Sequence, residues 1–274
     1  MTPVQVYHMD YEAGQHYRCL LMSDLHWDNP KCDRERLKRD LDYAVREELD
    51  IYLNGDTFCA MQGRYDGRRM KSDIREEHNT STYLDDLVGT GIEWFLPYKE
   101  NIRLVGYGNH ETSILKNCET DILGRWVEGL NAHGADIVLG GYGGWIVWSF
   151  RMDSGNGMAY KLRYHHGSGG GGPVTRGTIQ AQRMMASIHG ADCIWQGHVH
   201  ESWAMTNVVQ SLTANNRPIL KEVLHVRTPT YKEEYGEGMK GWHVERGAPP
   251  KPLGCYVLDL ELRTKKIRAR AMPL

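Results

Sequence analysis

The sequence predicts an α/β fold with a ligand crevice at the carboxyl ends of its strands. Three observations carry that expectation. Short apolar runs of strand length recur at residues 17–22, 51–53, 102–107, 137–139 and 193–195. Stretches with apolar residues at helical spacing lie between several of them. Polar clusters presenting Asp, His or Asn follow most of these runs, where open α/β sheets place their ligands.

Residues 1–16 are mixed in character and fit an edge strand or an irregular start. The run 17–22 reads as a buried strand ending at Asp24 and His26, and Pro30 closes the loop. From Asp33 to Leu49 the residues Leu37, Leu41, Ala44, Val45 and Leu49 recur at helical spacing, with Asp33 as N-cap. Residues 51–53 form a second buried strand leading into Asn54-Gly55-Asp56. The polar segment 61–82 carries Arg64, Arg68, Arg69, Lys71 and Arg75, and reads either as a solvated loop or as a basic flap over a site. A helix over 83–95 follows, with Thr82 as cap and Asp85 three residues on. The third strand, 102–107, runs into Gly108-Asn109-His110-Glu111. A helix over 120–133 stacks Ile122, Trp126, Val127 and Leu130 and stops at Gly134, ahead of a short strand at 137–139. Two extended runs, 145–152 and 159–166, flank a hairpin turn and end at His165-His166-Gly167. A glycine run at 169–172 precedes a helix over 175–189 that carries Arg176 and Arg183 and stops at Gly190. The strand at 193–195 then meets Gly197-His198-Val199-His200, whose spacing of two puts both imidazoles on one face of an extended segment. Beyond Trp203 the pattern is of strands with long loops, closed by a hairpin of 256–262 and 267–271. No repeat and no dividing linker appears, so one domain over 1–274 is expected.

The 274 residues are 41% hydrophobic and 25% charged, an ordinary globular balance. A formal net charge of -2 creates no global basic field that demands nucleic acid, though a local groove can still be basic. The six cysteines include no C-x-x-C pair and several sit in apolar runs, as reduced thiols in a cytoplasmic protein would. Neither a signal peptide nor an apolar stretch of membrane-spanning length is present, so no membrane association is expected.

The strand-end residues are Asp24 and His26, Asp56, Asn109 and His110, His166, and His198 with His200. One such cluster is usually a turn; five of them are very hard to explain that way. Two carboxylates, an amide oxygen and four imidazoles exceed what one metal ion uses. They suit two divalent ions about 3.5–4 Å apart that share a carboxylate, as in two-metal phosphate hydrolysis. Mixed nitrogen and oxygen ligation suits Mn, Fe, Zn, Ni or Co. A water between two such cations becomes hydroxide near neutral pH.

These residues resemble a known family. Asp24-Leu25-His26, Gly55-Asp56, Gly108-Asn109-His110-Glu111, His166-Gly167 and Gly197-His198-Val199-His200 match, in order, the five signature blocks of the calcineurin-like metallophosphoesterase superfamily. The resemblance covers residues 17–201 and implies a four-layer α/β/β/α sandwich with a di-metal site at its edge. It implies that Asp24, His26 and His200 hold a first metal, that Asp56 bridges, and that Asn109, His166 and His198 hold a second. His110 would face the leaving-group oxygen as an acid or contact a phosphate oxygen. Of the adjacent pair His165 and His166, the family's His-Gly pattern selects His166, leaving His165 as a packing residue. Two divalent cations, Mn foremost with Fe, Zn, Ni, Co or Mg as alternatives, are the implied cofactors.

The substrate class stays open. Gly55-Asp56-Thr57-Phe58-Cys59 lacks the phosphate-gripping arginine of eukaryotic-type protein phosphatases, and His110 stands where lipid-nucleotide hydrolases carry Arg. The glycine run, Pro173 to Gly177, and Gly241-Trp242-His243-Val244-Glu245-Arg246-Gly247 resemble phage- or prophage-borne members with no assigned substrate. Gly-rich backbone beside His166 could offer N–H groups to a phosphate, with Arg176 or Arg183 adding charge, or form a mobile loop. Three readings follow: a phosphodiesterase on a nucleotide or nucleic acid, with a nuclease as its concrete form; a phosphomonoesterase on a small molecule or phosphoprotein; and a non-catalytic scaffold. The first draws on the absent arginine, the basic segment and tryptophans able to stack bases.

Overall fold

A computed structural model of the chain describes residues 3–61, 73–152, 155, 157–213, 215–236, 242–245, 247–264 and 266–274. Two six-stranded sheets form its centre. One runs in the order β1 (Val4–Asp10), β6 (Gly143–Arg151), β7 (Gly157–His165), β8 (Cys193–Gln196), β10 (Pro218–Arg227), β9 (Trp203–Leu212). The other runs β12 (Ile267–Pro273), β11 (Tyr256–Leu262), β2 (His16–Met22), β3 (Asp50–Asn54), β4 (Ile102–Gly106), β5 (Val138–Leu139). Strands β2 to β5 are mutually parallel, so their carboxyl ends share one edge.

The continuous apolar runs arise because these strands are covered on both faces. Along β2, Cys19 and Leu21 enter the core between the sheets, while Leu20 and Met22 face the helical layer. In β3 Tyr52 points to the inter-sheet core and Ile51 and Leu53 point away from it. The second sheet answers with Trp148, Leu162, Tyr164 and Trp195. Helices α1 (Arg34–Arg46), α2 (Tyr83–Phe95) and α4 (Ile122–Ala132) cover one outside through Leu37, Leu41, Leu87, Phe95, Trp126 and Leu130. On the other outside, Met184 and Met185 of α5 (Thr178–Ser187) pack on Ile194 and Val223. The layers therefore run α/β/β/α, the order that the motif resemblance implies.

Several local expectations change. A helix not anticipated from periodicity, α3 (Asn109–Cys118), begins at the third polar cluster itself. Thr82 places no side-chain cap on α2; its hydroxyl donates instead to Asp86 at 2.9 Å. Asp33 does cap α1, accepting from the Arg36 backbone N–H at 2.9 Å. The helix expected from residue 175 starts at Thr178, which leaves Arg176 in the preceding turn with φ 47°. Strands β9 and β10 form one ten-pair antiparallel ribbon where strands with long loops were expected. Arg64, Arg68, Arg69 and Lys71 lie outside the described residues, as do Asp153, Ser154 and Asn156 of the hairpin turn, Gly241 and Arg246. Arg75 is described and donates to the Cys32 carbonyl at 3.1 Å. All six cysteines are free. No described helix is long and apolar enough to cross a membrane.

Candidate metal centre

The loops after β2, β3 and β4 of one sheet and after β7 and β8 of the other bring the sequence-predicted residues together at one end of the sandwich. Asp24 N–H donates to Gly55 O and His26 N–H to Asp56 O, each at 3.0 Å, so the first two loops are zipped together. His198 N–H reaches both Asp24 carboxylate oxygens, at 3.1 and 2.9 Å. Asp24, His26, Asp56, His198 and His200 all have φ between 47° and 73°. Left-handed backbone is costly for non-glycine residues and clusters at functional sites, where the surroundings hold it in place. His198 and His200 thus occupy a tight turn, and the expectation of an extended segment with both rings on one face is corrected. The turn separates them into two donor groups.

In one group, His200 Nε2 lies 3.4 Å from Asp24 Oδ1 and 3.3 Å from His26 Nε2. In the other, His166 Nε2 lies 3.3 Å from Asp56 Oδ2 and 3.2 Å from Asn109 Oδ1, which is 2.7 Å from His198 Nδ1. Within each set, Asp24–His26–His200 and Asp56–His166–His198, one donor atom per residue lies within 4.8 Å of the others. His166 Nε2 is 3.9 Å from Asp24 Oδ1, so the two groups adjoin.

This donor set fits divalent cations. His166 Nδ1–H donates to Asn54 O at 2.7 Å, which aims the Nε2 lone pair into the site as a ligand histidine requires. Nε2 of His26 faces Nε2 of His200, a pairing of two like atoms that a shared cation would satisfy. Asp24, Asp56, His26 and His166 are almost fully buried, so their charges find little water. Burial disfavours charge on His166, but the carboxylates of Asp56 and Asp24 outweigh it and raise its pKa to about 10. Burial likewise opposes ionisation of Asp56, yet His166 and His110 bring its carboxyl well below the usual range. Burial, reinforced by His110, pushes His26 well down, and burial with His166 lowers His198. Without cations, the cluster therefore retains a proton on His166 between two carboxylates.

His110 sits in the first turn of α3. Its backbone N–H donates to Asp56 Oδ1 at 3.0 Å and its Nδ1–H to Cys59 O at 2.6 Å. Nε2 is left 3.9 Å from Asp56 Oδ2, and the side chain is 12% exposed, enough to meet a ligand. His165 turns away, packs on Tyr142 at 5.2 Å and accepts from Gly167 N–H at 3.0 Å, the packing role expected of it. The arginines do not join the donors. Arg176 is largely exposed with Nε 3.8 Å from Glu201, and Arg183 is exposed on α5.

Several supporting residues escaped sequence reasoning. Glu111 accepts from the backbone N–H groups of Phe58, Asp56 and Gly108 at 3.0, 3.1 and 2.9 Å, tying two motif loops together. Asp28 does the same for Cys59 and Ala60, at 2.5 and 2.7 Å. Its position two residues beyond His26, continuing the Asp24–His26 spacing, was an available signal. Ser23 donates to Asp24 at 2.5 Å and is 2.6 Å from the Thr228 hydroxyl. Arg227 donates to Gly197 O at 2.7 Å and to Gln196 Oε1 at 3.0 Å. No motif surrounds residues 227 and 228, so nothing in the sequence marked them.

No family model matches the chain, and no curated protein matches it. Solved structures resemble it at low identity. A predicted phosphoesterase from Streptococcus pneumoniae is 14% identical, with 95% of this chain and 91% of that one covered and a TM-score of 0.34. The calcineurin-like phosphoesterase YfkN from Bacillus subtilis is 14% identical, with coverage of 94% and 90% and a TM-score of 0.40. GAP50, the anchor in the inner membrane complex of Plasmodium, is 11% identical, with coverage of 94% and 84% and a TM-score of 0.44. None of these likenesses assigns chemistry to this chain.

Proposed function

We propose that this chain is a dinuclear metal-dependent phosphoesterase that hydrolyses phosphodiester bonds in a nucleotide or nucleic-acid substrate. One observation carries the reading. Two adjoining groups of nitrogen and oxygen donors are built from five separate motif loops, several of them in left-handed backbone, where strands of the two sheets end together. The bare site has two buried carboxylates at its centre, which would repel a phosphate ester. Two divalent cations, Mn foremost, would reverse that field, polarise the phosphoryl oxygens and lower the pKa of a water nucleophile.

The chain's own residues then divide the work. Asp24, His26 and His200 would hold one cation, His166, His198 and Asn109 would hold the other, and Asp56 would serve both. Glu111 and Asp28 fix the loops that carry Asp56 and His110. His110, anchored through Nδ1 on the Cys59 carbonyl, presents Nε2 to the cleft to give a proton to the leaving-group oxygen. Diester specificity is supported by Ala60, which stands in the block where the monoesterase arginine would be, and by Arg176 and Arg183, which lie outside the donor set. The tryptophans lend less to a nucleic-acid substrate than expected, because Trp27, Trp126, Trp148 and Trp195 are fully buried in the cores.

With Mn²⁺, purified protein should hydrolyse bis-(p-nitrophenyl) phosphate faster than p-nitrophenyl phosphate, and Asp56→Asn should abolish both activities. Turnover of the monoester alone would overturn the diester reading. No turnover with any divalent metal would favour a non-catalytic scaffold. A panel of single- and double-stranded nucleic acids then decides whether the diester is a polynucleotide.

A further inference from the structure

Cys59 is a thiol that the proposed hydrolysis does not use. It is buried, at 1% exposure. Its sulfur, a ring nitrogen of His26 and a ring nitrogen of His110 all lie within 4.8 Å of one another. This trio has no carboxylate and one soft donor, unlike the two groups described above. His26 and His110 meet edge to face with centroids 4.9 Å apart. His110 Nδ1 donates to the Cys59 carbonyl at 2.6 Å, which holds that ring against the residue that carries the thiol. His26 Nδ1 is buried without a hydrogen-bond partner, so that ring has an unused nitrogen while Nε2 faces His200. Asn29 Nδ2 donates to the Cys59 sulfur at 3.3 Å and orients it, while burial pushes the thiol up, so the metal must displace its proton.

We propose that Cys59, His26 and His110 form a site for a thiophilic divalent cation, Zn²⁺ or Cd²⁺, which shares His26 with the Asp24–His26–His200 group and adds a sulfur donor. Sulfur with two imidazoles is a donor set that selects such ions over Mn²⁺. At bond lengths of about 2.0–2.3 Å a tetrahedral ion holds its ligand atoms roughly 3.4–3.7 Å apart, so a trio already within 4.8 Å needs only a small closure to bind. Binding forms a sulfur–metal bond and releases the thiol proton to water. Resting on the phosphoesterase reading, a second consequence follows: the ion draws His26 and His110 away from the hydrolytic site, so thiophilic cations inhibit Mn²⁺-supported turnover.

The test is a Cd²⁺ titration of the whole protein, followed by the ultraviolet sulfur-to-cadmium charge-transfer band. The wild type should show the band of one thiolate, and Cys118→Ser should retain it. Cys59→Ser should lose it and bind Cd²⁺ at least roughly tenfold more weakly. His110→Ala, which leaves the thiol in place, should weaken the titration as well. An undiminished band in Cys59→Ser, or no band in the wild type, overturns the site. The binding arm needs no substrate, so it stands apart from the hydrolysis assay. If Cys59→Ser loses the band yet Mn²⁺-supported turnover remains equally sensitive to Cd²⁺, the inhibitory consequence fails while the site stands.

Discussion

Gly197→Ala tests whether the carboxylate of Asp24 is held where a cation needs it. A Cβ at position 197 would stand 2.5 Å from Asp24 Oδ2 and 2.7 Å from Ser23 Cβ, against an ordinary contact of 3.4 Å or more. Something must shift by roughly 1 Å, and neither neighbour is free to do so. Ser23 and Asp24 are fully buried and bonded to each other, and Ser23 is held further by Thr228. His198 N–H grips both Asp24 oxygens. Overpacking of this kind costs about 1–3 kcal/mol, and loss of a hydrogen bond to a charged group costs roughly 1.5–3 kcal/mol. The two overlap, so the metal-free variant should lose about 2–4 kcal/mol. The metal response is the sharper readout. Ligand stabilisation follows RT ln(1 + [L]/Kd), about 4.1 kcal/mol when Mn²⁺ is at 1,000 times the wild-type Kd. If displacement of Asp24 weakens binding about 100-fold, the same Mn²⁺ stabilises the variant by only about 1.4 kcal/mol. Urea unfolding with and without Mn²⁺ measures both quantities. Gly170→Ala, where an added Cβ meets nothing within 4 Å, is the control. Equal Mn²⁺ stabilisation of Gly197→Ala and wild type would refute the argument.

Metal binding should release close to one proton at pH 8, because His166, raised to about 10 in the bare site, must be neutral to ligate. Calorimetry in buffers of different ionisation enthalpy counts that proton, and a count near zero would show that His166 does not carry it. His225 is driven down to about 4 by burial and by Arg227, so the folded state binds fewer protons there than the unfolded chain. That contribution to stability is present above pH 6.5 and is lost as pH falls toward 4, with a slope of at most about 1.4 kcal/mol per pH unit. His225→Gln should flatten the acid limb of a stability–pH curve; an unchanged limb would acquit His225. Asp33→Ala should cost about 1 kcal/mol by uncapping α1 and leave Mn²⁺ affinity unaltered, as denaturation and titration together would show.

The strand ends were legible because polar ligands interrupt apolar runs that are buried on both faces, as Leu20 and Leu21 ahead of Asp24 illustrate. The division of His198 and His200 between two groups followed from the motif order, but their left-handed turn did not, since spacing alone carries no φ. Helix α3 was hidden because its first turn carries Asn109 and His110 toward the donor cluster, and only Glu111 and Ile114 are buried. Arg227 and Thr228 were invisible for a different reason. They reach Gly197 and Ser23 across more than 25 positions of chain, Arg227 through the parallel pairing of β8 with β10 and Thr228 through the approach of the other sheet's first motif loop.

The central claim is that two cations share this end of the sandwich, and diffraction from crystals grown with Mn²⁺, recorded at its absorption edge, tests it most directly. Two anomalous peaks about 3.5–4 Å apart are predicted. One should lie among Asp24, His26 and His200, the other among Asn109, His166 and His198, with Asp56 between them. A single peak, or none within reach of these residues, would contradict the account.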